Sequence, residues 1–551
     1  MPNARLNPLI GPAVLAAAGI MLCLGPAGCG VPGPDGPADT FGLDFSMPPA
    51  PAPRGAIVFF VDGVNADIFA EMLAADELPA IQRYFVDRGL YIPRAVANTP
   101  SVTLANETSV ITGVFPGHHG VTGINWFDRN RLIWRDYETI AQKNTLDSDH
   151  TAATLFEQFP DATTVSMFFQ AHRGATKFIE NWTSAGPPYY FGWYEFVDRL
   201  TLSRFDLVMD IARKRGRFPA VTVAYLLATD FQAYDYGVRS EPYRRALRHT
   251  DRQIGRVLGD LERAGLLDEV IIALVSDHSL GEVTRHFPLG QFLRDKVGLD
   301  IAYRELWENT PFERRLDYYS RFHAVLYGSG DRYWAICLRR PIRSEGRVSS
   351  LAPWPVRPEV EDLRAYPTRH GPTDLIETLV DEPAVDVAAY AVGPDRVRVV
   401  RADGEVEFDQ PGGAGAPITC RLIAGDDPLG WRGCVPAKML DGVPHSPLAW
   451  LSATADSDYP DLPAQILAYF RAPRAGDIAV FAAPTWDFND VNRAGHGGLR
   501  PSDMHVPLLL AGPGLVKARR DIARTVDLMP TLLRLLGRNT PERLDGRSLL
   551  P

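Results

Sequence analysis

The sequence has little or nothing of several features that mark large protein classes. Only five cysteines occur among 551 residues, and no CxxC pair is present, so a thiolate zinc site is not expected. The formal net charge is −10, which argues against a general nucleic-acid binder and against binding to a nucleic-acid duplex, because such proteins carry a basic excess. The GxSxG, GxxxxGKS/T and HExxH patterns are missing. Their absence argues against a serine hydrolase, a P-loop ATPase and a zincin metalloprotease.

Long apolar runs are also scarce, and the main one lies at residues 9–24. It has the length of an export-signal core and is short for a membrane span. Small residues precede Cys29, as at a bacterial lipoprotein cleavage site. We therefore expect a signal peptide at 1–28, a Pro/Gly-rich tether at 29–54, and export to the periplasm, outer membrane or cell surface. The membrane would be contacted only through this N-terminal lipid or signal anchor; plain secretion and an uncleaved anchor are the alternatives.

From residue 55 onward, short apolar runs alternate with stretches of helical spacing. Strands are predicted at 56–61, 221–227, 270–275, 477–481 and 506–511, and helices at 243–264 and 525–536. This alternation predicts an α/β sandwich with a mostly parallel central sheet and helices on both faces. Residues 290–475 hold weaker strands and many turns, so we interpret them as an elaboration inserted between two core parts, 55–289 and 476–551.

Two cysteines could form a disulfide in an exported protein. Cys420 and Cys434 would close a short loop. Two separate thiols are an equally good expectation.

Carboxylates follow three of the predicted strands. Asp62 comes directly after the first strand, Asp230 lies just beyond 221–227, and Asp277 and His278 follow 270–275. Because sites in parallel α/β sheets form at the carboxyl ends of the strands, these side chains are expected to converge. A fifth candidate, His496, is flanked by glycines that permit close approach. Aspartate and histidine together suit zinc, although each aspartate alone could be a turn or cap residue.

A nucleophile candidate lies in residues 99–108. Thr103 would sit near a helix N-terminus, where free N–H groups and the helix dipole favour an anion. A metal ion can lower the pKa of such a hydroxyl enough to make it a nucleophile. Asn106, one turn later, could donate its amide to a phosphate oxygen. The alternative is that Thr103 or Ser101 only caps the helix.

Taken in order, these motifs resemble a known family. The stretch TPSVTLANETSVITGVFPGHHGVTG, the strand followed by VDG, the SDH step, the glycine-flanked histidine and the closing TVDLMPTLLRLLG…LDGRSL are similar to the type I phosphodiesterase/nucleotide pyrophosphatase family of the alkaline phosphatase superfamily. The resemblance implies an alkaline phosphatase-like three-layer sandwich and hydrolysis of phosphate esters. It also implies two divalent metal ions, zinc above all, and a small phosphate-ester or nucleotide substrate.

The resemblance also implies a role for each matching residue. One zinc would be held by Asp62, Asp277, His278 and Thr103, and the other by Asp230 and His496. Thr103 would attack phosphorus and form a phospho-enzyme, which water activated by the second metal would hydrolyse. Asn106 would steady the nonbridging oxygens.

The sequence departs from the family at one expected ligand. Tyr234 stands where the family has a histidine four residues after Asp230, and a phenol is an uncommon zinc ligand. Three outcomes are open. Tyr234 or Asp235 could supply the ligand, the second site could be weak, or turnover could be lost and leave a surface binding protein. Hydrolysis of phosphomonoesters or phosphonates is a further alternative.

Overall fold

The computed structural model describes residues 43–139, 142–180, 182–489 and 491–551. The expected signal peptide and the first part of the tether lie outside these residues. Within them, no helix is both long and apolar enough to cross a membrane.

Short strands are spread along the whole described chain. In chain order they are β1 (Ala56–Val61), β2 (Leu90–Val96), β3 (Asn125–Asp128), β4 (Ile133–Asp136), β5 (Thr164–Met167), β6 (Lys177–Ile179), β7 (Val221–Leu226), β8 (Ile271–Val275), β9 (Gly281–His286), β10 (Ala324–Ser329), β11 (Tyr333–Leu338), β12 (Pro341–Ser344), β13 (Arg347–Leu351), β14 (Tyr366–Thr368), β15 (Gly371–Thr373), β16 (Val385–Gly393), β17 (Arg396–Arg401), β18 (Gly404–Asp409), β19 (Thr419–Gly425), β20 (Ile478–Ala482), β21 (Thr485–Asp487), β22 (Ala494–Gly495), β23 (His505–Ala511) and β24 (Ala518–Arg519).

Helices connect these strands. Those of eight or more residues are α1 (Ala66–Ala74), α2 (Thr103–Thr112), α3 (Trp182–Tyr190), α4 (Tyr194–Ser203), α5 (Phe205–Arg215), α6 (Ala228–Tyr236), α7 (Glu241–Arg263), α8 (Phe312–Tyr319), α9 (Pro447–Thr454), α10 (Leu462–Arg471) and α11 (Leu528–Leu535). Shorter α-helical turns lie at Pro79–Ile81, Pro116–His119, Leu146–Asp149, Leu289–Phe292, Val360–Arg364, Leu375–Val380 and Pro501–Met504.

The central sheet has the order β24-β2-β23-β8-β1-β7-β5-β6. β23 runs antiparallel to both of its neighbours, and the other pairs are parallel. In β1, Val58 and Phe60 pack into the apolar core on one face, while Ile57 and Phe59 pack into the core on the other. This two-sided burial explains why the strand is a continuous apolar run. The predicted α/β class, with a mostly parallel sheet between helices, is confirmed.

A second, antiparallel sheet has the order β10-β11-β20-β16-β17-β18-β19. It is built mostly from the region interpreted as an insertion. β20, however, comes from the segment 477–481 that we expected in the last part of the core. Its strand character was correctly predicted, but it joins the second sheet, since a short apolar run does not encode which sheet it enters. The division at residues 289 and 475 otherwise stays a prediction.

The cysteines among the described residues are free thiols. Cys420 is buried and Cys434 is exposed, so of the two alternatives the structure shows separate thiols and no bond between these two residues.

Candidate metal centre

The three central strands of the main sheet place the predicted carboxylates side by side. β1 pairs with β7 on one side and with β8 on the other. Asp62 directly follows β1, Asp277 and His278 follow β8, and Asp230 lies in the first turn of α6, just after β7. The sequence places these side chains together because they occupy equivalent ends of adjacent parallel strands.

The predicted ligand candidates form two overlapping groups. In each group the ligand atoms all lie within 4.8 Å of one another, and every member is buried. The groups are Asp62, Asp277 and His278, and Asp230, His278 and His496. The structure therefore brings together all five candidates, although their role as metal ligands stays a prediction.

Thr103 is the first residue of α2 and reaches the first group. Its Oγ1 lies 3.0 Å from Nε2 of His278. Neither Thr103 nor Ser101 caps the helix, because the N-cap residue is Val102, which makes no side-chain cap bond. Ser101 instead donates to the carbonyl of Gly498 at 2.9 Å. Thr103 thus combines a helix N-terminus with contact to a ligand candidate.

Main-chain carbonyls orient both histidines of the centre. Nδ1 of His496 lies 2.8 Å from the carbonyl of Ser101, and Nδ1 of His278 lies 3.1 Å from that of Ser279. A carbonyl can only accept, so each Nδ1 carries the hydrogen and each Nε2 is left as a ligand atom. Gly330 permits this packing, because a Cβ there would lie 2.4 Å from Nδ1 of His496.

The electrostatics of the centre favour cations. Burial raises the pKa of Asp62 well above its usual range, and the nearby carboxylates of Asp277 and Asp230 raise it further. One buried oxygen on each of the three aspartates has no hydrogen-bond partner: Asp62 Oδ1, Asp230 Oδ1 and Asp277 Oδ2. Three adjacent buried carboxylates with orphaned oxygens are costly unless a positive charge compensates them. The donor set of carboxylates and imidazoles therefore fits the divalent ions that the family resemblance implies.

The two halves of the centre are unequal. Since Nδ1 of His278 is occupied by Ser279, this residue has one ligand atom and can serve one ion. If His278 binds the ion of the first group, it joins Asp62 and Asp277 beside Thr103. The second group then keeps only two ligands of its own, Asp230 and His496.

Tyr234 borders the second group. It lies one turn after Asp230 on α6, and its ring stands edge-on to that of His496, with centroids 5.8 Å apart at 83°. Burial raises the pKa of the Tyr234 phenol well above its usual range, and the carboxylates of Asp331 and Asp230 add to the shift. A phenol held neutral in this way is a poor zinc ligand. Asp235 is exposed and belongs to neither group.

Asn106 does not have the surroundings expected of a phosphate contact. Its side chain is fully buried, and its two amide hydrogens face three carbonyls, those of Asn98, Pro100 and Val102, at 2.9 to 3.2 Å. Its Oδ1 accepts from the main-chain N–H and the side-chain amide of Asn98, both at 2.7 Å. The amide therefore has no hydrogen left for a phosphate oxygen. We correct the expected role: Asn106 holds the loop that positions Thr103.

Two residues near the centre were missed at the level of sequence. Tyr225, on β7, donates its hydroxyl to the carboxylate of Asp62. Asp331 lies just after β10 with a left-handed backbone at φ 66°. Its negative charge contributes to raising the pKa of Asp230. Neither lies in a recognisable motif, and Asp331 falls in the region that we interpreted as an insertion.

Comparisons with known proteins identify the family that this chain resembles. The profile of the family described as "Type I phosphodiesterase / nucleotide pyrophosphatase" matches residues 56–329. A bis(5'-adenosyl)-triphosphatase of Mus musculus is 23% identical over 250 residues, covering 43% of this chain and 49% of the relative. Ectonucleotide pyrophosphatase/phosphodiesterase family member 1 of Mus musculus is 22% identical over 279 residues, covering 50% of this chain and 29% of the relative. The chain thus spans about half the length of the first relative and less than a third of the second.

Solved structures show the same fold. Murine ectonucleotide pyrophosphatase/phosphodiesterase 5 superposes with a TM-score of 0.54 at 14% identity, covering 89% of this chain and 97% of that one. An inactive threonine-to-alanine variant of the murine protein in complex with AMP gives a TM-score of 0.54 at 13% identity, with the same coverage.

Proposed function

This chain belongs to the type I phosphodiesterase/nucleotide pyrophosphatase family, and from that premise we propose that it hydrolyses phosphodiester or nucleotide pyrophosphate bonds with Thr103 as its nucleophile. The proposed cofactors are two divalent metal ions, zinc above all. The observation that carries the proposal is the position of Thr103 Oγ1, 3.0 Å from His278 and beside buried carboxylates with unpartnered oxygens.

The residues divide into two proposed ligand sets. Thr103, Asp62, Asp277 and His278 would hold the first ion, and Asp230 with His496 would hold the second. When bound, the ions supply positive charge that offsets the charge developing on the attacking and leaving oxygens.

Thr103 carries the bond-making step. Its Oγ1 would release the hydroxyl proton to solvent and attack phosphorus, while the bond from phosphorus to the ester oxygen breaks and the departing oxygen takes up a proton. The phosphoryl group, with the other organic group still attached, would stay on Thr103. Water would then break the bond between phosphorus and Oγ1, its oxygen going to phosphorus and one of its protons restoring the Thr103 hydroxyl. The N-terminal N–H groups of α2 favour the negative charge that Thr103 carries during attack. Tyr225 and Ser101 hold Asp62 and the His496 loop in position through their hydroxyls.

Substrate and location are parts of the same proposal. The inactive variant of the murine relative is in complex with AMP, which supports a small nucleotide as one substrate class here. We propose that the protein acts outside the cytoplasm, held at its N-terminus by lipid on Cys29, as the signal-like residues 9–29 indicate.

The test is hydrolysis of paired chromogenic esters by the purified chain. Bis-p-nitrophenyl phosphate is compared with p-nitrophenyl phosphate, with added zinc or with chelator. Zinc-dependent release that favours the diester is the expected result. Preference for the monoester would support phosphomonoesterase activity instead. No release of either, from folded and zinc-loaded protein, would overturn hydrolysis and favour a binding protein, the candidate motivated by the two-ligand second site.

A further inference from the structure

A basic surface lies at the edge of the main sheet opposite the metal centre. One part of it is the end of α5 together with the two residues that follow this helix. The other part is a cavity of about 440 Å³ beside the end of α11. Among the described residues, Glu542 is the one acidic side chain that lines this cavity. We call seven residues of the two parts the basic face: Arg213, Lys214, Arg215, Arg217, Arg534, Arg538 and Arg547.

The two parts meet at Asp161, and they lie far from the metal centre. Arg217 donates to the main-chain carbonyl of Asp161 at 2.5 Å, and Arg538 pairs with the carboxylate of the same residue. Asp161 comes just before β5 and Arg217 just before β7, so both lie at the amino ends of parallel strands. The metal centre lies at the carboxyl ends. Because β7 has six residues, its two ends are about 20 Å apart.

Helix α2 places the cavity in the same way. The main-chain N–H groups of Asp545 and Gly546 donate to the carbonyl of Gly113, the C-cap residue of α2, at 3.1 and 3.0 Å. Gly546 is also one of the residues that line the cavity. The cavity therefore lies at the end of α2 opposite to Thr103, and it is separate from the metal centre.

Much of the positive charge on the basic face is not neutralised by neighbouring side chains. Arg213, Lys214 and Arg538 each pair with one exposed carboxylate. The other members have no carboxylate within ion-pair distance in the part of the chain that the structure describes: Arg215, Arg217, Arg534 and Arg547. Exposed ion pairs are weak, so even the paired cations remain available to other anions. The face is therefore locally positive, although the whole chain carries a net charge of −10.

The N-terminal end of the described chain lies beside the basic face. Asp44 accepts hydrogen bonds from Arg213 through its main-chain carbonyl, at 2.8 Å, and through its carboxylate, at 3.0 Å. Phe45 packs on Phe205 at the start of α5, with ring centroids 6.3 Å apart. Cys29, the proposed site of lipid attachment, precedes Asp44 by 15 residues. Because an extended chain spans at most about 3.6 Å per residue, the lipid would lie within about 55 Å of the basic face.

We propose that the basic face docks on the surface of an anionic lipid bilayer, with lipid phosphates entering the arginine-lined cavity, and that it turns the metal centre away from the membrane. This inference rests on the proposed location of the chain at a membrane and does not require hydrolysis. Anionic bilayers attract clusters of Lys and Arg, and a single lipid chain needs such a second contact for stable binding. Because the whole chain is acidic, the same bilayer would repel it in other orientations.

Partition of the full chain onto two kinds of vesicle tests the docking. One kind is phosphatidylcholine alone, and the other contains about 30% phosphatidylglycerol. The ratio of the two partition coefficients cancels what an N-terminal lipid or apolar leader contributes to both. A ratio of about thirtyfold or more is expected at about 0.1 M salt, falling toward one at about 1 M. A ratio of one at the lower salt concentration would overturn the inference.

Paired variants locate the source of this preference. Arg215→Gln combined with Arg547→Gln removes one exposed charge from each part of the basic face and is expected to lower the ratio by about fivefold or more. The matched control combines Arg347→Gln with Arg421→Gln, which removes the same charge from exposed positions outside the face. The control is expected to keep the wild-type ratio. An equal loss in both proteins would assign the preference to net charge and overturn the assignment to this surface.

Hydrogen exchange of the vesicle-bound chain tests its orientation. Main-chain amides in residues 213–217 and 538–548 are expected to exchange more slowly on the anionic vesicles. Those in residues 189–194 are expected to keep their rates, because the Tyr194 ring packs on Phe231, next to the ligand candidate Asp230 at the opposite edge. Slowing at 189–194 alone would overturn docking through the basic face.

Two further measurements separate this inference from its alternatives. Mass spectrometry shows whether Cys29 carries lipid. A chain without lipid that still prefers the anionic vesicles would overturn the proposed anchor and support the docking surface. Binding to a DNA duplex at the same salt concentration is the other measurement, and it is expected to be weaker than binding to the anionic vesicles. Tighter binding to DNA would overturn the assignment to lipid.

Discussion

The Thr103 hydroxyl occupies the point where a helix N-terminus meets the histidine of the first ligand group. Thr103→Ala removes the one atom proposed to attack phosphorus, while Asp62, Asp277 and His278 remain as ligands. Loss of turnover by at least about a thousandfold is expected, with little change in zinc content or thermal stability. Activity on bis-p-nitrophenyl phosphate, together with metal analysis, provides the measurement. Normal turnover would show that another group is the nucleophile.

We expect Tyr234 to limit the strength of the proposed second metal site. Tyr234→His places an imidazole one helical turn from Asp230, where it can join Asp230 and His496 as a third ligand. A tenfold or greater gain in affinity for the second zinc ion is expected, since a missing ligand weakens a site considerably. Zinc titration with a competing chelator measures it. The control is Tyr236→His, because Tyr236 is exposed at the end of the same helix; an equal gain there would exclude a ligand position for residue 234.

The ligand candidates were predictable at this scale for a physical reason. Asp62, Asp277 and His278 follow buried strands, and adjacent parallel strands end at one edge, so chain position alone determined their neighbourhood. Asn106 was not predictable in this way. Its side chain turns toward loop carbonyls, and the direction of a side chain within a turn depends on contacts that a sequence does not display.

At the scale of elements, the Asn106 side chain makes the largest set of hydrogen bonds to the loop before α2. Asn106→Asp keeps the oxygen that accepts from Asn98, but it places a carboxylate against three carbonyls and removes both donated hydrogens. A loss of about 2–4 kcal/mol in the free energy of unfolding is expected, with activity falling only as the folded fraction falls. Urea unfolding measures the change, and Asn539→Asp, at an exposed position, is the control.

The outcome of this substitution distinguishes the two roles considered for Asn106. If stability were unchanged while kcat fell sharply, the amide would be a phosphate contact after all.

Strand positions were the most predictable elements. The apolar runs at 56–61, 270–275 and 506–511 became β1, β8 and β23 with end shifts of at most one residue. β20 shows the limit of this approach. Its apolar run predicts a buried strand in either sheet, and only its pairing with β11 and β16 decides between them.

At the scale of the whole molecule, we expect the proposed metal binding and stability to be coupled. Three buried aspartates repel one another in the metal-free fold, and bound ions would relieve this repulsion. Zinc at about a hundred times its dissociation constant would add about 2.7 kcal/mol, which is expected to raise Tm by several degrees. Differential scanning calorimetry with zinc and with chelator measures the shift, and metal analysis is expected to give two ions per chain.

Asp230→Asn is the matched test of this coupling. It removes one buried charge, so the metal-free variant is expected to have a higher Tm than the metal-free parent. Adding zinc is expected to raise the Tm of the variant less than that of the parent. An equal zinc effect in both proteins would place the second ion away from Asp230.

The position of β23 has a consequence for how the chain folds during synthesis. This strand, made from residues 505–511, lies between β2 and β8, whose sequences emerge from the ribosome hundreds of residues earlier. Until it arrives, both strands present open apolar edges of the kind that recruit other chains. A fragment that ended with the family match at residue 329 would carry every ligand candidate except His496, yet it would also keep those edges open. Aggregation, rather than a smaller working enzyme, is the expected fate of such a fragment, and the growing chain would depend on chaperones until its last sheet strand is made.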